Sequence, residues 1–164
     1  DHNGIELSDQ EKVALATRKN EYYKASLANI DEEALVPGAI NFVKHMREAG
    51  LKTGLGSSSR NAQTVLDALN ITELFDAVIT GHDITRSKPD PQIFQLVAER
   101  LGAAPGECAV FEDAESGVEA ALAGGMYAVG FGSPETLGKA HAVVHSYAQI
   151  DADGFARTGR IEKR

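Results

Sequence analysis

Apolar positions along this chain follow first a helical period and then short runs divided by glycine and proline. Near the amino end Val13, Ala14, Leu15, Tyr22, Tyr23 and Leu27 fall at broadly helical spacing. They follow Ser8-Asp9-Gln10-Glu11, whose serine and glutamate have the spacing of a capping box. A helix from about Asp9 to Leu27 is predicted, with Arg18, Lys19, Asn20 and Lys24 on a charged, solvated side. Residues 29–33 read as a connection, and Pro37-Gly38 marks a break before a different regime.

Beyond that break the chain alternates. Ala39 to Ala49 is an amphipathic helix with Ile40, Val43 and Met46 or Phe42 inward, and Gly50 is placed to end it. A strand over 51–55 leads into the polar loop Gly56-Ser57-Ser58-Ser59-Arg60-Asn61. A second helix over 61–69 then buries Val65, Leu66 and Leu69. Residues 75–80 read as a strand and 81–88 as a polar loop. Asp90 as N-cap and Pro91 as first helical residue open a third helix, which carries Ile93, Phe94, Leu96, Val97 and Leu101 and stops at Gly102. Cys108 to Phe111 is a short buried strand running into Glu112 and Asp113. A helix of small residues to Ala123, a Gly124-Gly125 turn, a strand over 126–131 and a last strand near 142–144 follow. The tail from Gly154 to Arg164 is polar, and no regular structure is predicted for it. Strands separated by helices of about ten residues make βαβ units, so the fold class is α/β, a Rossmann-like doubly wound parallel sheet.

Composition narrows the partners more than the fold. A chain of 164 residues is one domain, or one domain with a small appendage. Its net charge of −8 argues against nucleic acid or an anionic membrane, since counterion-driven binding needs a basic face. The single cysteine, Cys108, sits in an apolar run and cannot form an internal disulfide, which fits a reducing cytoplasm. No apolar run is long enough to span a bilayer and no signal-peptide pattern occurs, so a cytoplasmic protein is expected, and a monomer.

Three loops carry the candidate chemistry. Glu112 and Asp113 stand at the carboxyl end of a strand, where open parallel sheets keep their ligand sites, and two adjacent carboxylates suit Mg²⁺. They could equally be an acidic loop serving the N-terminus of the next helix. Ser57 with its neighbours and Lys88 in Ser87-Lys88-Pro89 follow the other two strands on the same sheet edge. A serine run alone is ordinarily an N-cap loop and a lysine before proline a solvated one. Hydroxyl and backbone N–H groups, a lysine and a carboxylate pair together describe a phosphoryl-group site.

The segments Gly56-Ser57-Ser58-Ser59, Ser87-Lys88-Pro89-Asp90-Pro91 and Phe111-Glu112-Asp113-Ala114-Glu115-Ser116-Gly117 resemble, in order, the second, third and fourth motifs of the haloacid dehalogenase-like (HAD) phosphotransferases. Arg18-Lys19-Asn20, Ser59-Arg60-Asn61, Gly132-Ser133-Pro134-Glu135 and Leu137-Gly138 make the chain most similar to the β-phosphoglucomutase family within them. The resemblance implies that Ser57 and Lys88 hold the transferred phosphoryl group with help from the Ser58 N–H, and that Glu112 and Asp113 serve Mg²⁺ directly or through water. It implies further that Ser59, Arg60 and Asn61 grip the second phosphate of a sugar bisphosphate, and that Lys19 touches the sugar from a helical cap. The implied reaction is interconversion of β-glucose 1-phosphate and glucose 6-phosphate through an aspartyl-phosphate enzyme. A sugar-phosphate phosphatase and a non-catalytic phosphate- and metal-binding fragment are the alternatives.

The family also opens with an apolar strand ending in Asp-x-Asp-Gly, which supplies the nucleophile and the general acid and base. Nothing here matches it: Asp1-His2-Asn3-Gly4 follows no strand, and Asp31, Asp151 and Asp153 stand in the wrong contexts. The chain is therefore expected to hold a partial helical cap over 1–36 and a HAD-like core over 37–164 that lacks its first strand and its nucleophile.

Overall fold

In the computed structural model, residues 7–27, 30 and 35–161 are described. The expectations for Asp1-His2-Asn3-Gly4, for Asp31 and for most of the 29–33 connection lie outside them.

Helix α1 (Asp9–Leu27) begins as its capping box requires. The Ser8 N–H donates to Glu11 Oε2 at 2.9 Å, and the Glu11 N–H donates back to Ser8 Oγ at 3.3 Å. Its apolar positions stay largely in solvent: Val13 and Tyr22 are 65% and 72% exposed, while Leu27 is buried. The core begins with α2 (Ala39–Glu48), which buries Phe42 and Met46. Then come β1 (Gly54–Gly56), α3 (Ala62–Ala68), β2 (Ala77–Ile79), α4 (Gln92–Leu101), β3 (Ala109–Glu112), α5 (Glu115–Ala123), β4 (Tyr127–Phe131), α6 (Pro134–Leu137), β5 (Ala142–Val144) and α7 (Ala152–Thr158).

All strand pairs are parallel, and the expected α/β architecture is present. The strands form two groups among the described residues, β1-β2 and β3-β4-β5, with no ladder between β1 and β3. Along β4, alternation sends Ala128 to one face and Tyr127 and Val129 to the other. On the first face Ala128 packs with Ile93, Phe94, Val118, Ala121 and Leu137 of α4, α5 and α6. On the second, Tyr127 and Val129 pack with Phe42, Met46 and Phe155 of α2 and α7. Helices thus cover both faces, as a doubly wound sheet requires.

Several boundaries differ from the sequence reading by a residue or two, and four differences have a visible cause. Strand β1 starts three residues later than the apolar run, because the Thr53 hydroxyl and N–H turn instead to Leu74 O and the Asp76 carboxylate. Pro91, not Asp90, takes the N-cap position of α4, although Asp90 Oδ1 still accepts from the Gln92 N–H at 2.9 Å. Glu112 belongs to β3 and not to the loop after it, since it pairs in register with Gly130. The tail is the substantive correction. It folds into α7, where Asp151 Oδ1 accepts from the Gly154 N–H at 3.1 Å and Phe155 docks against Phe42 and Phe111 at centroid distances of 5.7 and 5.5 Å. One aromatic side chain in an otherwise polar stretch holds this helix, and periodicity does not register a single anchor.

Candidate active site

Strand alternation decides where Glu112 points. Phe111 enters the aromatic cluster beneath α2 and α7, edge-on to Phe42 at 5.4 Å, so Glu112 faces the opposite side, toward α4 and α5. There it meets Lys88. The two side chains are 10% and 15% exposed and form a direct ion pair. The Lys88 ammonium also donates to Gly56 O at 3.3 Å and sits 4.7 Å from the Phe94 ring centroid. One lysine thus ties the end of β1 to the end of β3 across the unpaired interval between the two strand groups. The approach depends on Gly117, because a Cβ there would lie 2.1 Å from Glu112 Oε2. The glycine in the Phe111–Gly117 stretch is therefore a packing requirement of the carboxylate.

Ser57 follows β1 directly and stays in register with β2 through its N–H, which donates to Ile79 O at 2.9 Å. Its Oγ accepts from the Ser59 N–H at 3.2 Å, and Ser59 Oγ accepts from the Asn61 N–H at the same distance. These two turns wind Ser57, Ser58, Ser59, Arg60 and Asn61 into a tight loop before α3, with Ser58 and Arg60 exposed. Neither loop proves to be a plain cap. Asn61 and Ala114 hold the N-cap positions of α3 and α5 without a side-chain cap bond, so Asp113 does not cap its helix.

Ser57, Lys88 and Glu112 are therefore brought to one place, at the carboxyl ends of β1 and β3, with Asp113 exposed beside them. The second group, Arg60 and Asn61, lines an open cleft of about 370 Å³ opposite Ala16, Thr17 and Asn20 of α1. Asn61 Nδ2 donates to Asn20 Oδ1 at 2.7 Å, a direct link from α1 to the core. Lys19 is exposed on α1 and is not among the residues lining that cleft. Asp151 and Asp153, the literal Asp-x-Asp-Gly of this chain, are spent elsewhere: Asp151 caps α7 and Asp153 pairs with His45 at 2.9 Å.

For a metal, the hard-oxygen donors at this edge are Glu112 and Asp113, with Glu112 engaged by Lys88 and Asp113 open to solvent. Two carboxylates fit Mg²⁺ as part of a shell, and no cluster of three or more His, Cys, Asp or Glu side chains able to hold a metal occurs among the described residues. No described helix is long and apolar enough to cross a membrane.

Sequence reasoning assigns Arg60 and Asn61 to the site but not the other four residues of the cleft, Ala16, Thr17, Asn20 and His82. Asn20 reads as one polar residue on a charged face, and its pairing with Asn61 spans 41 positions that no local pattern connects. His82 lies in the polar loop after β2 and lines the same cleft. A histidine among turn residues carries no signal of its own, and its placement follows from the close contact of Gly81 with Ser58.

Comparison with known proteins identifies the family to which this fold belongs. The haloacid dehalogenase-like hydrolase family matches residues 2–125. A β-phosphoglucomutase of Bacillus subtilis is 36% identical over 143 residues, covering 87% of this chain and 63% of that protein. A fructose-1-phosphate phosphatase of Escherichia coli is 39% identical over 129 residues, covering 76% of this chain and 66% of its own length. The crystal structure of a β-phosphoglucomutase from Clostridium difficile superposes with a TM-score of 0.85 at 34% identity, covering 92% of this chain and 68% of that one. This chain thus spans about two thirds of the length of these relatives. With its parallel α/β fold and its serine, lysine and carboxylate loops at one sheet edge, the chain belongs to the haloacid dehalogenase-like hydrolase family.

Proposed function

We propose that the protein of which this chain is part is a Mg²⁺-dependent phosphomutase that interconverts β-glucose 1-phosphate and glucose 6-phosphate. One observation carries the reading: Lys88 is anchored between Gly56 O and Glu112, next to Ser57, where strand ends of a parallel sheet hold ligands. In this account the Lys88 ammonium and the Ser57 O–H hold the transferred phosphoryl group, with the Ser58 N–H as a further donor. Glu112 keeps Lys88 extended toward that position. Glu112 and Asp113 would hold Mg²⁺, directly or through water, and the ion would supply positive charge to the phosphoryl oxygens. Lys19 contacts the sugar from α1, and α1 forms part of a cap.

The nucleophile is assigned to an aspartate of the whole protein that is not among the residues of this chain. That assignment is supported by the greater length of the relatives, by the interval between β1 and β3, and by the engagement of Asp151 and Asp153 elsewhere. Ser59, Arg60 and Asn61 are the grip for the second phosphate, because a guanidinium forks onto phosphate oxygens. The mutase reading predicts that Arg60→Ala in the whole protein lowers mutase turnover at least tenfold more than hydrolysis of a small aryl phosphate, on the order of 1.4 kcal/mol of selective stabilisation.

A phosphatase is the second reading, favoured by the 39% identity to the fructose-1-phosphate phosphatase and by a 34% identical hexitol phosphatase of Escherichia coli. Equal losses in the two assays decide for it.

A further inference from the structure

The loop after β2 is built more rigidly than a surface turn needs to be. Thr80 is buried, and the Asp83 carboxylate accepts from both its N–H at 2.8 Å and its Oγ at 2.9 Å. The His82 N–H donates to Thr80 Oγ1 at 3.2 Å, and the Gly81 N–H donates to Ser59 O at 3.2 Å. Gly81 is pressed against the serine loop so closely that a Cβ would meet Ser58 O at 2.3 Å and the Arg60 backbone N at 3.1 Å. The backbone carrying His82 is therefore fixed relative to the backbone carrying Arg60. Both residues line the 370 Å³ cleft with Asn61, facing Thr17 and Asn20 of α1. Neither Arg60 nor His82 has a carboxylate ion-pair partner among the described residues, in a chain whose net charge is −8. Asp83, the nearest acid in sequence, spends its carboxylate's hydrogen bonds on Thr80 and acts on His82 only through space, with no direct ion pair.

We infer that His82 is a specificity-determining residue: it acts with Arg60 as a second donor to the non-transferred phosphate of a sugar phosphate, so that the cleft prefers a hexose bisphosphate to a monophosphate. A hydrogen bond from a ring N–H to a phosphate oxygen adds to the guanidinium fork, and the fixed spacing of the two backbones means that little ordering is lost on binding. The inference rests on the sugar-phosphate reading above and adds a residue that the motif resemblance does not include.

Isothermal titration of the whole protein, with Mg²⁺ withheld, against glucose 1,6-bisphosphate and against glucose 6-phosphate tests it without turnover. The unsubstituted protein binds the bisphosphate more tightly. His82→Ala weakens bisphosphate binding by about tenfold and monophosphate binding by less than about twofold, while His82→Gln, which keeps a donor, stays within about threefold of the original. Thermal melting of all variants coincides, because the ring is exposed. If Arg60→Ala abolishes the preference and His82→Ala leaves it intact, the inference is overturned and the sugar-phosphate reading stands. If the unsubstituted whole protein binds neither ligand, both are overturned.

Discussion

Replacing Gly117 by alanine is the sharpest test of how the site is assembled. Its new Cβ would stand 2.1 Å from Glu112 Oε2, 2.2 Å from Cδ and 2.8 Å from Cγ, so the carboxylate must swing away from Lys88. With side chains only 10% and 15% exposed, the pair is largely desolvated, and separating such charges costs about 2 to 3 kcal/mol. The upper end of the usual range is not reached because the carboxylate is displaced and not removed. Against this, alanine is favoured over glycine within α5 by about 0.5 to 1 kcal/mol. Gly117→Ala should therefore lower stability by about 1 to 2.5 kcal/mol in urea denaturation with an unchanged m value. In a Glu112→Ala background the clash is gone, and the same substitution should stabilise by about 0.5 to 1 kcal/mol. The coupling between the two positions is then about 2 to 3 kcal/mol. Additive effects, or a Gly117→Ala protein as stable as the original, would refute the packing of Glu112 between Lys88 and Gly117.

Two further outcomes follow from contacts outside the site. Phe155→Ala should cost about 3 to 4 kcal/mol in denaturant unfolding, because it empties a place in the Phe42–Phe111 cluster, whereas an undocked tail would lose almost nothing. Asp76 accepts from the Thr53 N–H and from Arg47, both at 2.8 Å, and these bonds, the backbone one first, hold its carboxyl below the usual range, as Thr80 does for Asp83. A carboxyl depressed in the folded state contributes stability above its unfolded value of about 3.9, and that contribution is lost as pH falls through the folded value. Urea midpoints should therefore drop below about pH 4, and Asp76→Asn should be less stable at pH 7 but have a shallower acid slope; an unchanged slope would contradict the network.

Much of the site is legible in sequence because its parts lie where a strand ends and a loop begins. Ser57 follows one apolar run, Glu112 closes another and Lys88 ends the polar loop between β2 and α4, and parallel strands place their carboxyl ends on one edge. What stays hidden depends on distance across the fold. Lys88 and Glu112 are 24 positions apart and Asn20 and Asn61 are 41 apart, and no period reports a pairing of that range. The commitment of Glu112 to Lys88 is likewise invisible, since a carboxylate pair reads the same whether it faces solvent or a buried ammonium. Helix α7 was unpredictable for a related reason: its stability resides in Phe155 and in the cap at Asp151, not in a repeated apolar face.

The central claim is that Lys88, held by Gly56 O and Glu112, grips the phosphoryl group being transferred. Steady-state kinetics of Lys88→Ala in the whole protein test it most directly, with β-glucose 1-phosphate and an aryl phosphate as substrates. Loss of a buried cation aimed at a transferring phosphoryl group should lower kcat/KM for both substrates by about 10²- to 10³-fold, roughly 3 to 4 kcal/mol. Near-normal kcat/KM for both substrates, from a protein that melts as the original does, would contradict it.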